Sequence, residues 1–145
     1  MARPPTETTQ RLILDSGAVI AIARTEQRAI AFLRRAVELD AEVIVPVVVM
    51  AETLRGGHRD AAVNRVLNTV GDIDPTHPDV GRVAGRLLGR ASSAATVDAM
   101  VVAEAVVRGG GRVLTGDPTD LTTLAGNERR VTIQALASPR RGRRT

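Results

Sequence analysis

Residues 11–23 read RLILDSGAVIAIA, and this stretch contains the pattern that decides the fold. The apolar residues before Asp15 predict a short buried strand that ends at this acid. After the Asp-Ser-Gly interruption, the apolar run over residues 18–23 predicts a short helix. A strand that passes directly into a helix is typical of a parallel α/β sheet.

The same alternation of short apolar runs and helical patterns continues along the chain. It predicts further strands at residues 42–45, 72–74, 112–114 and 130–133, and further helices at residues 26–39, 46–54, 60–70, 76–90, 94–108 and 118–125. Pro46 is expected to be the first residue of its helix. The N–H group at that position has no partner within a helix, so its absence in proline has no cost. Thr76 is expected to cap the helix that follows it. We therefore predict an α/β fold around a central parallel sheet.

The composition is that of one domain without cysteine chemistry. The 145 residues suit a single domain, and the absence of cysteine excludes disulfides and thiolate metal sites. All twenty basic residues are arginines; four of them lie at the C-terminus, and the other sixteen balance the sixteen acids. We expect residues 1–10 to be disordered, residues 11–137 to form the folded domain, and residues 138–145 to be a disordered basic tail.

The sequence gives no indication of a membrane protein. No apolar run reaches the length of a transmembrane helix. Residues 12–23 resemble the apolar part of a signal peptide, but Asp15 interrupts the run and Gly17 divides it. A cytoplasmic protein is therefore the expectation.

Four acids occupy positions that a parallel sheet brings to one edge. Asp15 ends the first strand, Glu52 lies on the helix that follows the second, and Asp117 comes just after the strand at residues 112–114. Asp98 lies in the first turns of its helix and can face the same edge. Strand ends of one polarity line one edge of a parallel sheet, where open α/β folds place their sites.

Four neighbouring carboxylates repel one another unless a cation compensates their charge. A set of oxygen ligands favours Mg²⁺, or Mn²⁺ as a substitute, over Zn²⁺, which prefers histidine or cysteine. In phosphodiester hydrolysis such a metal activates a water molecule and neutralises charge on the phosphate. This chemistry needs no lysine or cysteine, and the chain has neither.

Three segments, in this order, resemble PIN domains and especially VapC-type toxins: LILDSGAVIAIA, VPVVVMAETLRGG and TVDAMVVAEAVVRGGGRVLTGDPTDL. The resemblance covers about residues 11–134. It implies a three-layer α/β/α PIN-like fold with a parallel sheet of four or five strands, and Mg²⁺-dependent endoribonuclease activity. It also implies a role as the toxin of a type II toxin–antitoxin (VapBC) system, with an RNA substrate, a VapB-like antitoxin and a homodimeric assembly.

The resemblance also implies roles for individual residues. By position, the metal ligands would be Asp15, Glu52, Asp98 and Asp117. Thr115 would orient a ligand or a water molecule through its hydroxyl, and Asp120 matches a second acid that often follows the fourth ligand. Leu121 departs from the phenylalanine that many relatives carry. No residue is assigned to an organic cofactor.

Structural interpretations of the same residues remain open. Asp15 and Asp117 each occupy a position typical of a helix N-cap, and Ser16 is expected to serve the backbone or a cap because no histidine is placed to activate it. The glycines at 109–111 are interpreted as a helix stop, and His58 and His77 as surface residues. Arg24, Arg28, Arg55 and Arg86 are candidates for phosphate contacts or ordinary surface charges.

Other functions also remain open. A haloacid-dehalogenase-like phosphatase with Asp15 as nucleophile is disfavoured, because Gly17 stands where such enzymes carry a second aspartate and the chain lacks lysine. A housekeeping RNA-processing PIN nuclease fits the same acids as the toxin. A non-catalytic PIN-like module that binds RNA or a partner is disfavoured by the complete acid set.

Overall fold

A computed structural model describes residues 10–70 and 73–137 of the chain. These residues form four strands and seven helices. The strands are β1 (Arg11–Leu14), β2 (Glu42–Ile44), β3 (Gly111–Thr115) and β4 (Val131–Ala135). The helices are α1 (Ser16–Ala23), α2 (Gln27–Glu38), α3 (Val47–Thr53), α4 (Asp60–Val70), α5 (Pro78–Ala91), α6 (Thr96–Val107) and α7 (Pro118–Ala125).

The four strands form one parallel sheet in the order β2-β1-β3-β4. The central pair is in register with Ile13 opposite Val113 and Leu14 opposite Leu114. From β1 the chain crosses to β2 on one side, whereas from β3 it crosses to β4 on the other side. The direction of the crossovers therefore changes between β1 and β3, and open α/β folds place their ligand sites outside the carboxyl ends of the strands at such a point.

Helices cover both faces of this sheet. Right-handed crossovers in opposite directions place the helices of the β1–β2 connection on one face and those of the β2–β3 and β3–β4 connections on the other. Most contacts agree, because α2 packs against β1 and β2, whereas α6 packs against β1, β3 and β4 and also contacts α5 and α7. Helix α4 is the exception, since it belongs to the β2–β3 connection but packs against α1. The chain therefore has the three-layer α/β/α fold that its resemblance implied.

The core is built from small branched side chains between these layers. Ile13, Leu14, Val113 and Leu114 of the central strands are fully buried. Residues 99 and 101–105 of α6 are also buried, so this helix has no solvent-facing side over much of its length. A helix buried on most sides needs a largely apolar sequence, which explains why most of residues 99–107 are alanine or valine. The buried Glu104 is the charged exception, and it pairs with Arg108.

Most predicted elements are present, with local corrections. Pro46 is the N-cap of α3 rather than its first residue. His77, not Thr76, caps α5: its Nδ1 accepts a hydrogen bond from the Asp79 N–H at 3.1 Å, because Pro78 takes the first helical position. Ile73 and Asp74 do not form the predicted strand, and Asp72 lies outside the described residues.

The terminal segments predicted to be disordered, residues 1–10 and 138–145, fall almost wholly outside the described residues, of which Gln10 is the first. The strand predicted to begin the folded domain starts directly after it, at Arg11. None of the helices in residues 10–70 and 73–137 combines the length and apolar character needed to cross a membrane.

Candidate acidic site between β1 and β3

Asp15 lies directly after β1 and is buried, with 9% of its surface exposed. It is the N-cap of α1: its Oδ1 accepts a hydrogen bond from the Ala18 N–H at 2.9 Å. Burial raises the pKa of the Asp15 carboxyl above its usual 3.8, and the charge of Glu52 raises it further, whereas hydrogen bonds from Thr115, Ala18 and Gly17 lower it. The capping interpretation is therefore confirmed, and the same carboxylate sits in a charged environment.

The two strand-to-helix junctions touch each other through their backbones. The Asp15 N–H donates to the Leu114 carbonyl at 3.2 Å, which continues the β1–β3 pairing to the edge of the sheet. A Cβ on Gly17 would lie 3.0 Å from the Gly116 nitrogen, so a side chain there would press on the opposite junction. The contact of Gly17 with Gly116 holds the acids at the two strand ends close together.

Asp117 follows β3 and is the exposed N-cap of α7, where its Oδ1 accepts from the Thr119 N–H at 3.3 Å. The fully buried Thr115 hydroxyl accepts from the Asp117 N–H at 3.0 Å and lies 3.1 Å from the Asp117 carbonyl. Its single proton can serve that carbonyl or the Asp15 carboxylate, whose pKa it lowers. Thr115 therefore links the two acids by shaping the turn of one and contacting the other.

Glu52 reaches the site from the last turn of α3 and is exposed. The Ser16 hydroxyl donates a hydrogen bond to Glu52 Oε1 across the α1–α3 contact. The expectation that Ser16 serves the backbone or a cap is therefore wrong, because its hydroxyl positions an acid of the site. The sequence offers only the adjacency of Ser16 to Asp15 as a signal for this role.

Asp98 lies in the first turn of α6 and is half-buried. Burial raises the pKa of the Asp98 carboxyl above its usual 3.8, and the charges of four other acids raise it further, namely Asp120, Asp15, Glu52 and Asp117. These are the remaining sequence-predicted acids. The fold therefore brings the charges of all four to bear on Asp98.

Six described arginines form ion pairs with acids outside the site. The partners are Glu38, Glu42, Asp74, Asp79, Glu104 and Glu128. The negative charge of the site is thus not compensated by these pairs. Among the described residues, no three aspartate, glutamate or histidine side chains already surround one point as a metal would require. Mutual repulsion favours such separated carboxylates when no cation lies between them.

Several other sequence-based interpretations can be compared with the structure. Gly109 and Gly110 have positive φ angles of 91° and 121°, and their N–H groups bond to carbonyls of the last turn of α6, which confirms the helix stop. His58 and His77 are exposed, as expected. Arg86, a candidate for phosphate contact, instead pairs with Glu128.

The PIN domain family profile matches residues 12–125 of the chain. A solved structure of FitAB bound to the IR36 DNA fragment is similar to this chain, with a TM-score of 0.65 and 17% identity over 86% of this chain and 94% of that one. FitAcB from Neisseria gonorrhoeae is similar with a TM-score of 0.62 and 19% identity, over 86% of this chain and 97% of that one. At such identities the likeness shows the fold alone. No curated protein matches the chain.

Proposed function

The chain belongs to the PIN domain family, and from this premise we propose that it is a Mg²⁺-dependent endoribonuclease, the toxin of a type II toxin–antitoxin pair. PIN domains are generally nucleases. The observation that carries the proposal is that Asp15 and Asp117 follow β1 and β3, between which the crossovers change direction, and that the charges of the other predicted acids all act on Asp98. Open α/β folds use this position for ligands.

The donor set fits a hard divalent cation. Asp15, Glu52, Asp98 and Asp117 would hold Mg²⁺, with Mn²⁺ as a substitute, because carboxylate oxygens are the ligands these ions prefer. The chemistry supplied by the bound ion would be activation of water and neutralisation of charge on the phosphate. Burial and neighbouring carboxylates raise the pKa of the Asp15 and Asp98 carboxyls, and a bound cation would favour their ionised forms.

The side chains of the site have distinct tasks in this proposal. Asp15 Oδ1 accepts the hydrogen bond that caps α1, and this bond fixes the direction of the carboxylate that would bind the ion. Ser16 orients Glu52 through its hydroxyl, and Thr115 orients the turn that carries Asp117. Asp120 adds negative charge beside Asp98 and supports the site rather than completing it.

The biological role extends the same proposal. The motif resemblance to VapC-type toxins supports a cytoplasmic toxin that acts on RNA, forms a homodimer and is inhibited by a VapB-like antitoxin. Induced expression of the chain should then arrest growth, and co-expression of a short protein encoded immediately upstream should relieve the arrest. Growth at the normal rate during expression of active nuclease would favour a housekeeping RNA-processing enzyme.

The direct test is cleavage of RNA by the purified chain. We expect cleavage with Mg²⁺ or Mn²⁺, none with EDTA, and restoration when the metal is returned. Because the similar FitAB structure contains a DNA fragment, DNA of the same sequence is included as a substrate and is expected to remain intact. Mapping the RNA ends after induced expression then identifies the sequence or structure that is cut.

The matched variants assign the activity to the site. Mutation of residues that only support the ligands of a metal typically lowers activity roughly 10- to 100-fold. Asp98→Asn should lower the cleavage rate by more than this, because it changes a ligand itself. Asp40→Asn removes the same charge from an exposed position with φ 56°, a conformation that asparagine tolerates, and should cleave like the original chain. Full activity in Asp98→Asn, or cleavage that survives EDTA, would contradict the proposal.

A further inference from the structure

The described residues end at the edge of the sheet that carries the acids. Beyond β4, the Leu136 N–H donates a hydrogen bond to the Thr115 carbonyl at 2.8 Å, so the pairing with β3 continues to the end of that strand. The Leu136 side chain lies near Gly116, where an added Cβ would be 4.0 Å from Leu136 Cδ1. Gly116 in turn contacts Gly17, close to Asp15. The end of the described chain therefore lies beside both strand-to-helix junctions of the site.

The residues that follow, 138–145, are strongly basic and are called the basic tail. They read SPRRGRRT and contain four arginines and no acid. Ala137, which precedes them, is exposed, so the chain continues from the surface. An extended chain advances at most about 3.6 Å per residue, so Arg140 can lie up to about 11 Å from Ala137, and Arg144 up to about 25 Å. This range covers the neighbouring carboxyl ends of β1 and β3.

The acidic site complements the basic tail in charge. The six arginines with ion pairs in the domain contact other acids, so these pairs leave the carboxylates of the site uncompensated. Glu52, Asp117 and Asp120 are exposed and can be reached from the solvent. A guanidinium group binds a carboxylate through two parallel N–H donors. Arginines of the tail can therefore supply the positive charge that the site lacks when no metal is bound.

We propose that the basic tail folds back onto the acidic site of its own chain and competes there with Mg²⁺, an inference that rests on the proposed function because that function places the metal at these acids. A tether of a few residues produces an effective concentration in the millimolar range, so individually weak ion pairs can hold the tail in place. The tail would cover the metal-free site and raise the Mg²⁺ concentration at which the site fills. It would thus act as a built-in inhibitor that the metal displaces.

The test measures stability and metal affinity, neither of which depends on RNA cleavage. The tail variant replaces the four arginines of the tail: Arg140→Gln, Arg141→Gln, Arg143→Gln and Arg144→Gln. The control variant removes equal charge from exposed positions of the domain: Arg34→Gln, Arg65→Gln, Arg112→Gln and Arg129→Gln. A chain that ends at Ala137 repeats the measurement without any substitution. Melting temperatures are measured in EDTA at about 0.01 M and 1 M salt, where the Debye length is about 30 Å and 3 Å.

At low salt the tail variant should melt about 2–4 °C below the original chain, because it loses contacts made only in the folded state. This difference should disappear at high salt, which screens exposed charges. Calorimetric titration with Mg²⁺ should give a dissociation constant about 3- to 10-fold lower in the tail variant, as expected if the tail covers about 70–90% of the metal-free sites. The control variant should change the dissociation constant less than about twofold, and its melting difference should depend less on salt. If the control variant does not fold, its four substitutions are measured singly.

Equal effects in the tail and control variants, or an unchanged Mg²⁺ affinity in the tail variant, would overturn the inference. If the tail variant then binds RNA more weakly in EDTA than the control variant does, the tail serves the substrate instead. The result is separable from the proposed function. A chain that cleaves RNA with Mg²⁺ but shows neither effect of the tail contradicts the docking of the tail alone. A tail that competes with Mg²⁺ in a chain that never cleaves RNA contradicts the nuclease alone.

Discussion

At the scale of single residues, the ionised carboxylate of Asp98 is expected to destabilise the folded protein. Its pKa is raised in the folded protein, first by burial and then by the neighbouring acids, so its ionised form is disfavoured by folding. Folded protein therefore binds more protons than unfolded protein between pH 3.8 and the raised pKa, and stability falls as the pH rises through this range. Asp98→Asn should raise the melting temperature of the metal-free protein at pH 7 by about 1–3 °C.

The pH dependence of this gain identifies its cause. Below the unfolded pKa, Asp98 is protonated in both states, and the Asn variant should melt with the original chain. Differential scanning fluorimetry at pH 7 and near pH 3.5 measures both differences. An Asn variant that is less stable at neutral pH, or equally more stable at both values, would show that carboxylate repulsion does not act on this residue.

Gly17 is a second residue whose effect can be predicted from geometry. In Gly17→Ala the new Cβ would lie 3.0 Å from the Gly116 backbone nitrogen, which cannot rotate away. We expect a loss of about 1–3 kcal/mol of stability, typical of overpacking, and slower cleavage because the strand ends separate. Gly85→Ala is the control: its Cβ meets no atom within 4 Å, and alanine on this exposed face of α5 should add about 0.5–1 kcal/mol. Urea unfolding compares the two.

At the scale of elements, Arg108 joins the C-terminal end of α6 to the sheet, at the opposite end of this helix from Asp98. Its guanidinium donates to Glu104 Oε1 at 2.9 Å, Glu42 Oε1 at 3.1 Å and Asp74 Oδ2 at 3.3 Å. Glu104 has a buried side chain, so Arg108→Met would leave its carboxylate without a partner. We expect this change to cost about 2–4 kcal/mol, less than a fully buried pair because Arg108 is 19% exposed.

A double variant tests that the cost comes from the orphaned charge. Glu104→Gln combined with Arg108→Met removes both charges and should be more stable than Arg108→Met alone. Urea unfolding gives the free energies, and both variants should keep their cleavage activity because α6 carries Asp98 at its other end. If the stability lost by the double variant equals the sum of the losses in Arg108→Met and Glu104→Gln alone, the two side chains are not coupled.

The elements were largely predictable because each has strong local signals at its ends. Helix α7 has the predicted bounds, since Asp117 and Pro118 begin it and apolar residues recur along it. One error reflects competition between neighbours, because Pro78 takes the first position of α5 and the cap is His77 rather than Thr76. The Ser16–Glu52 hydrogen bond and the Gly17–Gly116 contact were not predictable, because each joins residues far apart in sequence whose proximity depends on the packing of other helices.

At the scale of the whole molecule, the fold concentrates negative charge at one edge of the sheet, whereas the ion-paired arginines lie on other acids. The charge is nearly balanced over the body, so this separation is a matter of arrangement rather than composition. The carboxylates would repel the phosphates of a substrate unless a cation lies between them. Metal binding and substrate binding are therefore expected to depend on the same global arrangement.

Metal should consequently stabilise the entire fold. Mg²⁺ that binds only the folded protein at about ten times its dissociation constant adds about 1.4 kcal/mol, equivalent to about 3–5 °C for a chain of this size. Asp98→Asn should lose most of this shift, although it starts from a higher melting temperature without metal. As Mg²⁺ or Mn²⁺ is added, the melting temperature of the original chain should approach or exceed that of Asp98→Asn. The melting temperature of Asp40→Asn should rise as much as that of the original chain. Equal shifts in all three proteins would place the stabilising metal elsewhere on the surface.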